Sequence, residues 1–88
     1  MHYKYKTQGV CAQVIEYDIV DNKLQNVVFY GGCDGNLKAI GRLVEGMDAS
    51  AVAKTLEGNI CGMKKTSCAD QLSKAVMASL EGKLAATN

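Results

Sequence analysis

The sequence contains no tryptophan, no proline and no long run of apolar residues; residues 27–30 form one of its longest apolar stretches. A membrane-spanning helix needs about 18 or more consecutive apolar residues, so we expect no membrane partner. The first six residues, Met1 to Lys6, lack the apolar segment of a secretory signal. We therefore expect a cytoplasmic protein, in a reducing setting where structural disulfides are rare.

An excess of charge of one sign is also missing. Ten Lys and Arg residues against nine Asp and Glu residues leave a formal net charge of +1. That balance argues against a nucleic-acid-binding protein or a protein of anionic membrane surfaces. The alternation Tyr3-Lys4-Tyr5-Lys6 could form a platform for single-stranded nucleic acid. A half-exposed strand whose lysines guard an edge explains it more simply.

The length and apolar content predict one small packed domain. The chain has 88 residues, of which 48% are hydrophobic, so a packed core is expected over a single domain, residues 1–88. A domain of this size rarely supplies the walls of a large enzymatic cleft alone. We therefore expect no independent enzymatic activity.

The first half of the chain has the two-residue alternation of β-strands. We predict strands over residues 2–7, 13–20 and 24–30, within about residues 2–30, with turns at Gln8-Gly9 and Asp21-Asn22-Lys23. Such short connections favour an antiparallel meander.

From Gly31 onward the apolar residues recur at helical spacing. We predict three helices within about residues 36–82. The first covers 36–45 with Gly46 as its C-cap, and the second is capped by Asp48 and ends at Gly58. The third runs from Ser67 to Gly82, with Ser67 and Asp70 as a capping box. The tail, residues 83–88, is expected to fray. The apolar residues at helical spacing are Leu37, Ile40, Leu43, Val44 and Met47 in the first helix, Val52 and Leu56 in the second, and Ala69, Leu72, Val76, Met77 and Leu80 in the third.

Strands followed by helices predict an α+β fold, a three-stranded antiparallel sheet with about three helices packed on one face.

The four cysteines are Cys11, Cys33, Cys61 and Cys68, and no two of them form a C-x-x-C motif. Zinc ribbons, zinc knuckles and thioredoxin-type motifs are therefore excluded. Each cysteine lies at the end of a predicted element, and the start of a helix favours a thiolate. If these loops meet at one end of the sheet, the four sulfurs could hold zinc or iron. Unconnected reduced thiols, or a disulfide pair, are the alternatives that spacing leaves open.

Four short motifs together resemble the TSCPD domain family, named for a Thr-Ser-Cys-Pro-Asp motif. They are Gly9-Val10-Cys11, Gly31-Gly32-Cys33 with Gly35-Asn36-Leu37, Ile60-Cys61-Gly62, and the run from Thr66 to Leu72. The resemblance implies that the four cysteines are metal ligands. It also implies a link to ribonucleotide reductase, because the family includes stand-alone bacterial proteins and the C-terminal domain of adenosylcobalamin-dependent reductases. Ala69 stands where the family name has Pro, and Ala also suits the first turn of a helix.

The chain also has a more distant resemblance to NifU-type iron–sulfur scaffold proteins. On that comparison, Cys11, Cys33 and Cys68 take the three cysteine positions of the scaffold. Ser67 stands where the scaffold has His, and Cys61 would supply the fourth ligand. This resemblance implies a NifU-like fold and an iron–sulfur cluster.

Other motifs have simpler interpretations. Gly31, Gly32 and Gly35 match no phosphate-binding motif and are interpreted as turn glycines. Asp34 and Asp70 neighbour cysteines, and turn or capping roles account for both. The methionines Met47, Met63 and Met77 are interpreted as core. His2, the one histidine, lies in a terminal strand expected to fray, so we assign it no role as a ligand or base.

These observations predict a cysteine-based metal-binding module without catalytic residues. As the resemblance implies, it would be an accessory or regulatory module of ribonucleotide reductase, which either helps to re-reduce active-site cysteines or binds the large subunit. An iron–sulfur scaffold or carrier, and a redox-active thiol or partner-binding domain without metal, are the alternatives. The exposed edge of a three-stranded sheet would also allow a homodimer.

Overall fold

The computed structural model of the protein describes residues 1–7, 13–31, 34–58 and 68–86, with only the backbone for residues 34–36. Three strands precede three helices. They are β1 (His2–Lys6), β2 (Val14–Val20), β3 (Lys23–Tyr30), α1 (Asp34–Val44), α2 (Ala49–Leu56) and α3 (Cys68–Leu80). The predicted α+β arrangement is confirmed.

The sheet is an antiparallel meander in the order β1-β2-β3. Tyr3 lies opposite Tyr17 in one pair of strands, and Ile15 lies opposite Phe29 in the other. Asp21 and Asn22 make the β2–β3 turn with φ angles of 52° and 66°. Asn and Asp tolerate this left-handed conformation, which two-residue hairpin turns require.

The helix ends use the predicted capping residues. Asp48 caps α2, because its carboxylate accepts a hydrogen bond from the amide of Ala51 at 2.9 Å. Gly46 follows α1 with a φ of 76°, a conformation open to glycine because it has no Cβ. Ser67 lies outside the described residues, and the capping box that involves it stays a prediction.

The core lies between one face of the sheet and the helices. Tyr3 and Tyr17 stack with ring centroids 5.5 Å apart, on the face that also presents Ile15. The helices contribute mainly small and branched side chains to this layer: Val44, Ala49, Val52, Ala53, Leu72, Ala75 and Val76. Strand alternation thus directs one set of side chains inward and leaves the other face open.

Several apolar residues of the predicted helix stripes are exposed instead. Leu43 is 74% exposed, and Leu80, Met47 and Met77 are also exposed. In α1 the covered stripe passes through Leu37 and Val44, and Leu43 is rotated by about 100° from Val44. The core interpretation of Met47 and Met77 is therefore wrong, and Met63 lies outside the described residues.

The chain after α3 returns to the core. Gly82 has a φ of 76°, and the amides of Lys83 and Leu84 donate to the carbonyl of Ala78. Leu84 and Ala86 are half-buried against the core cluster, so this part of the tail does not fray as expected. None of the helices in the described ranges is long and apolar enough to cross a membrane.

Candidate metal centre

One end of the sheet brings together the strand ends that lead to Cys11 and Cys33. The amide of Thr7 donates to the carbonyl of Gln13 at 3.1 Å, and the amide of Gln13 donates to the carbonyl of Tyr30 at 2.7 Å. Thr7 and Gln13 flank the segment that contains Cys11, and β3 ends at Tyr30, shortly before Cys33. We call this end of the sheet, defined by Thr7, Gln13 and Tyr30, the cysteine end.

The direction of α1 agrees with this placement. At the opposite end, the amide of Gly46 donates to the carbonyl of Leu24 at 2.7 Å, and the amide of Leu24 donates to the carbonyl of Met47 at 2.8 Å. These bonds hold the C-terminus of α1 beside the β2–β3 turn. The N-terminus of α1, which directly follows Cys33, therefore points towards the cysteine end.

The start of α3 lies away from the β2–β3 turn as well. The amide of Ala49 donates to the carbonyl of Asn22 at 2.7 Å, which fixes the N-terminus of α2 at that turn. α3 runs antiparallel to α2, since Ser50 of α2 shares a cleft with Met77 and Leu80 near the end of α3. The first residue of α3, Cys68, is therefore on the side of the helix layer remote from the β2–β3 turn.

Cys68 is the one predicted ligand within the described residues. Its thiol is free and half-buried. Cys11, Cys33 and Cys61 lie outside the described residues. Within the described ranges no group of three or more His, Cys, Asp and Glu side chains could hold a metal ion. The four-cysteine ligand set accordingly stays a prediction.

Asp70 joins the two helices that flank the segment containing Cys61. Its side chain is 4% exposed, and its Oδ1 accepts a hydrogen bond from the amide of Gly58 at 2.8 Å. Its Oδ2 lies 3.1 Å from the Nζ of Lys74, one turn further along α3. Gly58, two residues beyond the end of α2, is thus tied to the first turn of α3. The sequence motif singles out Asp70 as a neighbour of Cys68. It does not reveal the hydrogen bond to Gly58, because that bond links residues 12 positions apart.

His2 is firmly held in the sheet, contrary to the frayed strand expected for it. The amide of Ile19 donates to the carbonyl of Met1, and the Nδ1 of His2 lies 2.7 Å from Oδ1 of Asp18. The hydrogen bond to Asp18 is the main cause of a raised pKa for His2, and Glu16, 3.3 Å from its Nε2, adds to it. His2 pairs opposite Asp18, near the β2–β3 turn, and so lies away from the cysteine end.

Two buried serines of α3 satisfy polar groups of the core, which hydropathy could not reveal. The hydroxyl of Ser73 donates to the carbonyl of Ala53 at 2.6 Å. The hydroxyl of Ser79 bonds the hydroxyl of Tyr17 and the carbonyl of Ala75. Burial raises the pKa of Tyr17 to about 12, so this phenol stays neutral and structural at physiological pH.

The remaining candidates are placed only in part. Gly31 has a φ of 83°, in agreement with its predicted turn role. Gly32 and the side chain of Asp34 lie outside the described residues, so their assignments stay predictions.

A family model described as the TSCPD domain matches residues 1–80. No curated protein and no solved structure matches the chain. The more distant resemblance to NifU-type scaffolds therefore stays a prediction.

Proposed function

Because the chain belongs to the TSCPD domain family, we propose that it is a metal-binding module in which Cys11, Cys33, Cys61 and Cys68 bind one zinc or iron centre. The observation that carries the proposal is the position of the strand and helix ends in the fold. The ends of β1 and β3 and the N-terminus of α1 share the cysteine end, and α3 begins on the side remote from the β2–β3 turn.

The donor set fits a thiophilic metal. Four thiolates suit tetrahedral zinc or an iron centre, and a site closed by four protein ligands has a structural rather than a catalytic role. Cys68 is compatible with this set, because its thiol is free, half-buried and at the start of a helix. When bound, the metal would crosslink the loops, which stabilises a domain with a small core.

The proposed biological role follows from the family. TSCPD domains resemble the C-terminal domain of adenosylcobalamin-dependent ribonucleotide reductases, so we propose that the module is an accessory that binds a reductase subunit. The domain is small, so we expect it to act through a partner rather than as an enzyme alone.

The metal is tested on protein purified without a metal-affinity tag. We expect about one equivalent of zinc or iron per chain, and a cobalt-substituted protein with the thiolate charge-transfer bands of a four-sulfur site. Each single Cys→Ser variant should lose or strongly weaken these bands. The control is His2→Gln, which removes the one histidine and should leave the bands unchanged.

Two results would contradict the metal proposal. Fully reduced protein with far less than one equivalent of metal would favour the metal-free thiol domain. A coloured cluster formed by anaerobic reconstitution and passed to an acceptor protein would favour the iron–sulfur scaffold. The partner is tested separately: the reductase link fails if the protein neither co-purifies with a reductase subunit nor changes reductase turnover.

A further inference from the structure

A groove of about 480 Å³ lies between β3 and one side of α1. The backbone of α1 lies against the outer edge of β3 at Gly41, where an added Cβ would come 2.9 Å from the carbonyl oxygen of Val27. α1 therefore covers this edge of the sheet, and glycine allows the close approach because it has no Cβ. Beside this contact, the groove is lined by Val28 of β3 and by Lys38 and Arg42 of α1.

The groove borders the face of the sheet on which no described helix packs, here called the open face. Val28 pairs with Glu16, and both project from this face because paired residues of neighbouring strands point to the same side. The amide of Asn26 donates to Oε1 of Glu45, the residue after α1, and its side-chain amide donates to Oδ2 of Asp18 on the open face, both at 2.9 Å. α1 therefore forms a wall along one side of the open face.

The wall carries positive charge that the described residues do not balance. Lys38 and Arg42 are exposed and four residues apart, so they lie on the same side of α1. Neither forms an ion pair with any side chain in the described part of the chain. Glu45, which borders the groove, accepts the amide of Asn26, and Glu16 is paired with residues of β1. Two like charges side by side repel each other in the free protein and would attract an anionic partner.

The open face also exposes apolar side chains next to this wall. Val28 is 44% exposed and Tyr30 is 48% exposed, and both lie on the open face because they are two residues apart in β3. The half-buried Val14 lies opposite Tyr30. A sheet face that contacts only water is expected to present polar side chains, so exposed apolar side chains beside two cations indicate a surface for an amphipathic partner.

We propose that an acidic amphipathic helix of a partner protein packs on the open face beside α1. Its apolar side would lie on Val28 and Tyr30, and its acidic side chains would reach Lys38 and Arg42. The three strands are about 4.8 Å apart and together span about 10 Å, which is the diameter of one helix. Apolar anchors would supply contact area, and the charged groups at the rim would supply specificity. The proposal requires neither the metal nor a reductase subunit as the partner.

The charges of the helices favour a different protein over a second copy of this chain. α1 has Lys38 and Arg42 against Asp34. α2 has Lys54 and no acidic residue, and α3 has one residue of each sign. None of the described helices is therefore acidic, and a second copy would leave the charge of the wall unbalanced.

The test uses ¹⁵N-labelled full-length protein and three acetylated, amidated peptides of about 18 residues, long enough for five helical turns. The peptides share one leucine face at helical spacing, and their other positions combine alanine with glutamate, glutamine or lysine. We expect the glutamate peptide to shift the amide resonances of Val28, Tyr30, Lys38 and Arg42 and to gain helicity on binding. The glutamine peptide should bind more weakly, and the lysine peptide should not shift these resonances. Binding of the glutamate peptide should weaken as salt is raised, because exposed charges are screened.

The double variant Lys38→Glu with Arg42→Glu should weaken binding of the glutamate peptide by about tenfold or more, and should allow the lysine peptide to bind. Lys38→Gln with Arg42→Gln, which removes the charges without reversing them, should weaken the glutamate peptide by a smaller factor. Val28→Thr should weaken it without changing the salt dependence, because it removes an apolar contact and no charge. The matched control is Lys54→Glu, an exposed lysine of α2 outside the groove, which should leave the affinity unchanged.

The spectrum of each free variant reports whether it is folded. The proposal is overturned if no peptide shifts the resonances of the groove and the open face, if the glutamate and lysine peptides bind equally, or if Lys54→Glu weakens binding as much as the double variant. A bound glutamate peptide that stays extended would also contradict it. So would shifts of the same resonances with protein concentration alone, since these would indicate a dimer through this face.

Discussion

The two faces of the sheet are stabilised by different interactions. On the inner face Ile15 and Tyr17 are fully buried under the helices. On the open face their neighbours Glu16 and Asp18 hold a polar network with His2 and other side chains: Lys4, Asn26 and Tyr30. Burial of apolar surface stabilises the inner face, whereas the open face depends on interactions between charged groups, which water and salt weaken.

Two aspartates show the same difference between the layers. Asp18 lies on the open face, with a side chain that is 26% exposed, and bonds His2 and Asn26. The side chain of Asp70 is 4% exposed and bonds Gly58 and Lys74 in the helix layer. Water can replace the partners of Asp18, but it cannot easily reach the groups that Asp70 satisfies. The energetic importance of a carboxylate should therefore follow its burial.

The largest expected effect is the loss of a buried leucine. Leu72→Ala removes a fully buried side chain and leaves a cavity, so we expect a loss of about 2–5 kcal/mol in the free energy of unfolding. The matched control is Leu43→Ala on α1, which should change it by less than about 0.5 kcal/mol because Leu43 is exposed. Urea unfolding at one fixed metal content measures both. Equal losses would contradict the observed burial.

The next effect concerns the buried carboxylate. Asp70→Ala leaves the amide of Gly58 without this acceptor, so we expect a loss of about 1–3 kcal/mol and faster hydrogen exchange at that amide. Asp70→Asn keeps an oxygen acceptor and should slow that exchange again. Lys74→Met, which removes only the exposed partner of the ion pair, should lose at most about 1 kcal/mol. If Asp18→Ala destabilises the protein as much as Asp70→Ala, burial does not govern these two groups.

The smallest effect is the pH dependence of the open face. The pKa of His2 is raised above its ordinary value of 6.5, chiefly by the hydrogen bond to Asp18. Its contribution to stability is therefore complete below about pH 6.5 and is lost as the pH rises through the folded-state pKa.

The pKa of the partner carboxylate, Asp18, is shifted in the opposite direction. Hydrogen bonds from Asn26 and His2 lower the pKa of Asp18 below its ordinary value of 3.8. Its contribution is present above about pH 3.8 and is lost as the pH falls through the folded-state pKa. The open face should thus contribute most between these two values.

An NMR titration of the His2 ring checks the pair. The pKa of His2 should fall in Asp18→Asn, whereas the control Glu81→Gln, a carboxylate that pairs with Lys83 after α3, should leave it unchanged. A His2 pKa at or below 6.5 in the wild-type protein would contradict the pairing.

The elements of the fold could be predicted from sequence because their signals are local. Alternation predicted the strands to within about a residue at most ends, and Asp48 and Gly46 marked the helix boundaries where their side chain or backbone acts. The apolar spacing of α1 and α3 did not show which face of each helix would be buried. Leu43 and Leu80 belong to plausible stripes and are exposed, because the sheet covers only part of each helix.

The candidate site likewise combines features that the sequence shows with features that only the tertiary structure shows. The motif around Cys68 and the placement of cysteines at element ends are properties of the sequence. The tie from Asp70 to Gly58 and the shared direction of the strand and helix ends are tertiary, because they join residues far apart in the chain. The sequence by itself determined the α+β order, the caps and the family, since these depend on neighbouring residues. Only the tertiary structure decided which face of each helix is buried, because packing depends on what lies opposite.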